Sequence, residues 1–192
     1  MSSKIKIKKH FSLLKKSEDI AIKVLNKIKE EKYASASSSD LKKFTKEFRT
    51  RYANGETLEN MMIEVFSVAY KAVQLVYGIK LYKVQIMGAY ALHHGDVAEM
   101  KTGEGKTLTA ILPAYLNSLT NLGVHIITVN EYLSTRDSLN TGRVFTILGL
   151  SVGSITSKQS DIIKKEHYNR DITYMTNSEV GFDYLRDNLC KS

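Results

Sequence analysis

The chain has one cysteine and one proline in 192 residues, and it has no run of 18 apolar residues. A lone Cys190 excludes an internal disulfide and a cysteine-built metal cluster, and it suits a reducing compartment. Without a long apolar run, no segment reads as a bilayer-spanning helix. The opening residues are too rich in lysine, and too often interrupted, for a cleavable signal peptide. A cytosolic protein is expected. Internal repeats are absent, and low complexity is confined to the serine cluster "SASSSD" at 35–40. What remains is an ordinary soluble composition, 43% hydrophobic and 25% charged. It suits one domain, or one domain with a helical extension.

The net charge of +8 is unevenly placed. Residues 1–32 hold ten lysines against four acids, a net of +6. A basic end of this kind attracts anionic membrane lipid or an acidic partner. Because the rest of the chain is nearly neutral, nucleic acid is not the expected partner. Ile5, Ile7, Phe11 and Leu14 are interspersed with these lysines. Two readings follow: a helix with solvated lysines, or a surface-seeking basic amphipathic segment.

The first third reads as helices. Ile20, Val24 and Ile28 recur at helical spacing, which predicts a helix over 18–32 with Ser17 as its N-cap. Asp40 is read as the cap of a second helix carrying Leu41, Phe44 and Phe48, and "NG" at 54–55 as a turn. A third helix starts at Thr57 and ends on Gly78 as a left-handed cap. A fourth covers about 83–94, with His93 and His94 at its end rather than in a metal site. Beyond this point short β-branched runs (97–100, 124–129, 151–155 and 171–176) alternate with spacers long enough for crossover helices. That rhythm predicts a parallel sheet with helices on its faces.

"EMKTGEGKT" (99–107) poses the chemical question. A P-loop reads G-x-x-x-x-G-K-[ST], and here Met100 stands at the first glycine. The missing glycine is the one furthest from the lysine, and the context of strand, loop and helix is the required one. In such a loop, glycines let backbone N–H groups face the phosphates and the helix presents its positive end. Gly103, Glu104 and Gly105 would cradle the phosphates of ATP, Lys106 would bridge the β- and γ-phosphates, and the Thr107 hydroxyl would ligate Mg2+. Pro113, two turns into the following helix, predicts a kink.

Four longer strings, "AEMKTGEGKTLTAILPAYLNSL", "GVHIITVNEYLSTRD", "FTILGLSVG" and "DITYMTNSEVGFDYLRDN", closely resemble the SecA family, the motor ATPases of bacterial preprotein translocation. The upstream "EFRTRYANGETLENMMIEVFSVAYKAV" is similar to the family's N-terminal helices. The resemblance runs from about residue 13 to 189 and implies an α/β fold of the superfamily-two type. Residues 1–82 would be an N-terminal helical region. Residues 83–192 would be the first part of a RecA-like P-loop lobe, ending before the Walker B acids. It also implies that Gln85, in "YKVQIMG", reads adenine with its amide. The sequence departs from the common pattern at Leu81, Tyr82 and Lys83, the last standing where an aspartate is usual.

Arg136, Asp137, Asp183, Arg186 and Asp187 fall in family motifs, as coupling residues or as ion pairs bracing the lobe. With Walker B and the second lobe past Ser192, this chain alone is expected not to turn over ATP. The implied partners are the SecYEG translocon, unfolded preproteins and anionic lipids at the basic N-terminus, and pairing with a second copy stays open. The implied location is the cytoplasmic face of the membrane, peripherally bound. Two rival readings are another helicase-like ATPase and a non-catalytic interaction fragment with a vestigial P-loop.

Overall fold

The computed structural model describes residues 2–189, with side chains from Ser12 onward. Cys190 and the side chains of Ile5, Ile7 and Phe11 therefore lie outside the described residues. Five helices come first: α1 (Ser2–Lys27), α2 (Glu31–Ala34), α3 (Ser38–Ala53), α4 (Leu58–Tyr77) and α5 (Lys83–His93). Then α6 (Lys106–Ser118), α7 (Glu131–Ile147), α8 (Asp161–Tyr168) and α9 (Asn177–Leu189) accompany strands β1 (Val124–Thr128), β2 (Val152–Ser154) and β3 (Ile172–Thr176).

The strands form a parallel sheet in the order β1-β3-β2, with Val124 and Val152 both in register with Ile172. All five residues of the central β3 are buried, as expected for a strand covered on both faces. α7 connects β1 to β2 and α8 connects β2 to β3, so the crossover arithmetic of the sequence holds. α4 is the spine of the helical part. Thr57 caps it, Gly78 ends it at φ 68°, and ten of its residues are buried. The apolar core is continuous from Ala21 of α1 through α4 to Tyr174 of β3.

Four local expectations are corrected. Ser17 is not an N-cap, because α1 already runs from Ser2 and passes straight through it. Ser17 is buried on the stripe that packs inward, and its hydroxyl donates to the Leu14 carbonyl at 2.8 Å. A small polar residue on a buried stripe resembles a cap in sequence because both places favour serine. The helix also stops at Lys27, short of residue 32. At the second helix the cap is Ser37, and Asp40 is the third residue of a capping box, accepting from the Ser37 N–H at 3.1 Å. Residues 97–100 form no strand, since no ladder of hydrogen bonds reaches them. Val97 is 93% exposed. Instead Ala98 and Met100 pack over Gly88 of α5, where an added Cβ would lie 3.7 Å from Ala98 and 3.6 Å from the Met100 sulfur. α6 continues unbroken through the buried Pro113.

Two polar joints, one buried and one half-buried, tie α3 to the rest of the fold. The Thr45 hydroxyl of α3 lies 2.7 Å from the Tyr115 hydroxyl of α6 and donates to the Leu148 carbonyl at 2.6 Å. The Asp171 carboxylate, just before β3, accepts from Arg49 of α3 at 2.6 Å and from the Ser151 N–H and hydroxyl at 2.7 Å each. Burial alone would push the Asp171 carboxyl up, but Ser151 and Arg49 together hold it below the usual carboxylate range. A lowered folded value means that stability from this group is present above the unfolded value, near 3.9, and is lost as pH falls through the folded one. Asp171→Asn should cost about 1–3 kcal/mol at pH 7. In urea titrations the gap between wild type and variant should close as pH drops below about 4. A gap that is the same at pH 7 and in acid would show that the charge does not stabilise this joint.

Candidate nucleotide site

The loop ahead of α6 is shaped by its glycines. Gly103 has φ 86° and Gly105 has φ 83°, both in the left-handed region that an L side chain resists. A Cβ on Gly103 would meet nothing within 4 Å. At Gly105 a Cβ would sit 2.2 Å from Gln85 Nε2, so the glycine there is required by a close approach as well as by its backbone. Gly105 serves as N-cap of α6, and its carbonyl accepts from the N–H groups of Leu108 and Thr109 at 3.0 Å each. Lys106 and Thr107 occupy the first turn, where the N–H groups of a helix have no intrahelical partner and its dipole favours an anion.

Gln85 is buried and acts as a strut beneath this loop. Its Oε1 accepts from the Tyr82 N–H at 2.9 Å, closing the first turn of α5, and its Nε2 donates to the Glu104 carbonyl at 2.9 Å. A glutamine amide has two N–H donors and two oxygen lone pairs. After these bonds one of each remains, the pair that the expected reading of adenine would use. α1 holds α5 in place: Lys83 pairs with Glu18, and Glu59 of α4 bridges Lys16 at 3.0 Å and His94 at 3.3 Å. Lys83, the departure from the usual aspartate, therefore has a partner on the N-terminal helix.

Within the loop, the Lys106 ammonium donates to the Lys101 carbonyl at 2.9 Å, and the Glu104 carboxylate accepts from the Lys101 N–H at 2.7 Å. Residues 101–104 and Lys106 are exposed, and Thr107 is half-buried. Gly103, Glu104, Gly105, Lys106 and Thr107 thus lie together on one open turn, with Gln85 directly behind it. This donor set fits the phosphates of a nucleotide: two left-handed glycines, a helix start, one exposed cation and a hydroxyl.

The other singled-out residues lie elsewhere. His93 and His94 end α5. His93 Nδ1 lies 3.2 Å from the Asn117 amide, and burial, with His94 beside it, holds His93 below the ordinary imidazole value. Among the described residues no group of His, Cys, Asp or Glu is arranged to hold a metal. Arg136 bonds its neighbour Asp137 through Nε at 2.9 Å and Nη2 at 2.7 Å. Arg186 bonds Asp161 at 2.7 Å. Asp183 is buried against Lys164 at 3.0 Å and the Tyr168 hydroxyl at 2.9 Å. Lys164, which also bonds Glu179 at 2.5 Å, is itself buried and was not singled out by sequence. Its burial lowers its pKa less than the two carboxylates raise it, so it stays charged. These contacts bolt α9 to α8. A surface cavity of about 830 Å³ beside β2, lined by Arg143, Gly153, His167 and Arg170, shares no residue with the nucleotide loop.

The chain carrying this loop matches a known family over almost its whole length. The model of the SecA DEAD-like domain matches residues 2–192. This removes the reading as an unrelated helicase-like ATPase and accords with the helix-rich α/β fold and its small parallel sheet. The chain belongs to the SecA DEAD-like domain family, as the N-terminal segment of a SecA-type ATPase.

Proposed function

We propose that this chain is the ATP-binding part of a motor that couples ATP hydrolysis to the export of unfolded preproteins through the SecYEG channel. The observation that carries the reading is the 103–107 turn, with two left-handed glycines at the start of α6. In this reading Lys106 leaves the Lys101 carbonyl to take the β- and γ-phosphates, the N–H groups of Gly103 to Gly105 cradle them, and Gln85 reads the adenine. Thr107 supplies a hydroxyl to Mg2+, which when bound offsets phosphate charge. Residues 1–82 serve as a helical buttress to the lobe of 83–192, since Gln85 is carried on a helix that α1 and α4 hold. Arg136 and Arg186 are taken as braces of the lobe.

No helix among the described residues is long and apolar enough to cross a membrane. The motor is proposed to work from the cytoplasm and to reach the membrane surface through its basic N-terminus. Near an anionic leaflet each lysine contributes about 1 kcal/mol, fading within a Debye length. The test uses the full-length motor with anionic vesicles that carry SecYEG. Preprotein should stimulate its ATP hydrolysis. Replacing Lys4, Lys6, Lys8 and Lys9 by glutamine should weaken vesicle flotation by about tenfold or more at low salt, with nucleotide affinity unchanged. Hydrolysis indifferent to preprotein and vesicles would count against export. Unchanged flotation would show those lysines to be only a solvated face.

A further inference from the structure

The nucleotide loop already holds an anion of its own. The Glu104 carboxylate accepts from the Lys101 N–H at 2.7 Å, while the Lys106 ammonium is turned onto the carbonyl of the same Lys101 at 2.9 Å. The Glu104 N–H also donates to that carbonyl at 3.2 Å. The loop is therefore closed on itself through the backbone of one residue, Lys101, by one acidic and one basic side chain. The same link of a residue's N–H to an acid three positions on occurs at Ser37 and Asp40, where it caps a helix that begins at the next residue. At Lys101 no helix begins there; α6 starts five residues later, at Lys106. The Glu104 bond thus closes the loop and caps no helix.

We propose that Glu104 is a built-in competitor for phosphate: held on the Lys101 N–H, its carboxylate keeps a negative charge on the turn whose Gly103 to Gly105 N–H groups would take the phosphates, and so weakens nucleotide affinity until it swings out. The proposal rests on the reading of 103–107 as the phosphate site. A hydrogen bond from N–H to a carboxylate is about twice as strong as a neutral one. A phosphate entering this turn either breaks that bond or sits beside an uncompensated negative charge. Either outcome lowers affinity, and more so at low salt, where charges on an exposed loop are least screened. Gly103 has open space around its α-carbon and a backbone that tolerates large rotations, which lets the Glu104 side chain swing out. Releasing Glu104 would free the Lys101 N–H, while the Lys106 bond to the Lys101 carbonyl is a separate contact.

Calorimetric titration of ADP with magnesium into the chain tests this with three variants: Glu104→Ala, Glu104→Gln and Lys106→Ala. Glu104→Ala should bind about three- to tenfold more tightly than wild type at low salt, and Glu104→Gln, which keeps the shape without the charge, should fall in the same direction. Hydrogen exchange at the Lys101 amide of the nucleotide-free protein gives a direct readout: slow in wild type, faster in Glu104→Ala. Equal or weaker binding by Glu104→Ala would overturn the proposal, as would tighter binding with no change in Lys101 exchange. Lys106→Ala separates the two layers. If it abolishes binding while Glu104→Ala changes nothing, the phosphate site stands and the competitor does not. If Lys106→Ala leaves binding intact, both fall.

Discussion

Lys106→Ala should reduce ATP hydrolysis by the full-length motor about a hundredfold or more, the scale seen when one preorganised donor to transition-state charge is removed. Its cost to stability should be small. The side chain is exposed, and its one hydrogen bond, to the Lys101 carbonyl, is worth about 1 kcal/mol in the folded protein. The loop keeps its glycines, its Gln85 strut and the cap of α6, so the fold has no reason to change. Measured turnover within about twofold of wild type would remove Lys106 from the phosphate site. A large fall in melting temperature with it would point instead to a structural role.

Gly105→Ala should be as damaging by a different route. A side chain at φ 83° costs about 1–2 kcal/mol in backbone strain. Its Cβ would also stand 2.2 Å from Gln85 Nε2. To relieve that overlap, Gln85 has to leave the Glu104 carbonyl, and a buried amide donor then loses its partner at about 1–3 kcal/mol. Both consequences fall on the loop, so nucleotide affinity should drop by about tenfold or more together with stability. The mechanism is separable. Adding Gln85→Ala to Gly105→Ala removes the overlap but not the strain, so the double variant should be less destabilised than the two single costs added together. Simple additivity of the two would show that the close approach of Gln85 is not what Gly105 is needed for.

Much of this arrangement was legible in the sequence where the cause is local. The α4 stripe, opened by Thr57 and closed by Gly78, needs only helical spacing and two terminal signals. The three β-branched runs at β1, β2 and β3 announce a buried parallel sheet in the same way. The site's loop was legible because its glycines encode backbone conformation directly. Where the cause is distant, the sequence is silent. Residues 97–100 read as one more short run in the strand–helix rhythm, but a strand exists only where a neighbour supplies a ladder, and none reaches this segment. Arg49 finds Asp171 across 122 positions, and Lys164 is buried only because Glu179 and Asp183 fold over it. The closure of Lys101 by Glu104 was hidden for another reason: the P-loop pattern leaves both positions unspecified. Ser37 and Asp40 show the limit of resolution, since either member of a capping box looks like the cap.

The most direct measurement is calorimetric titration of ADP with magnesium into the 192-residue chain and its Lys106→Ala variant. If the 103–107 turn, braced by Gln85, is a nucleotide site, wild type will bind one ADP per chain in a saturable, magnesium-dependent titration, and Lys106→Ala will lose most of that affinity. Absence of binding by the folded wild-type chain, or equal binding by both proteins, would contradict it.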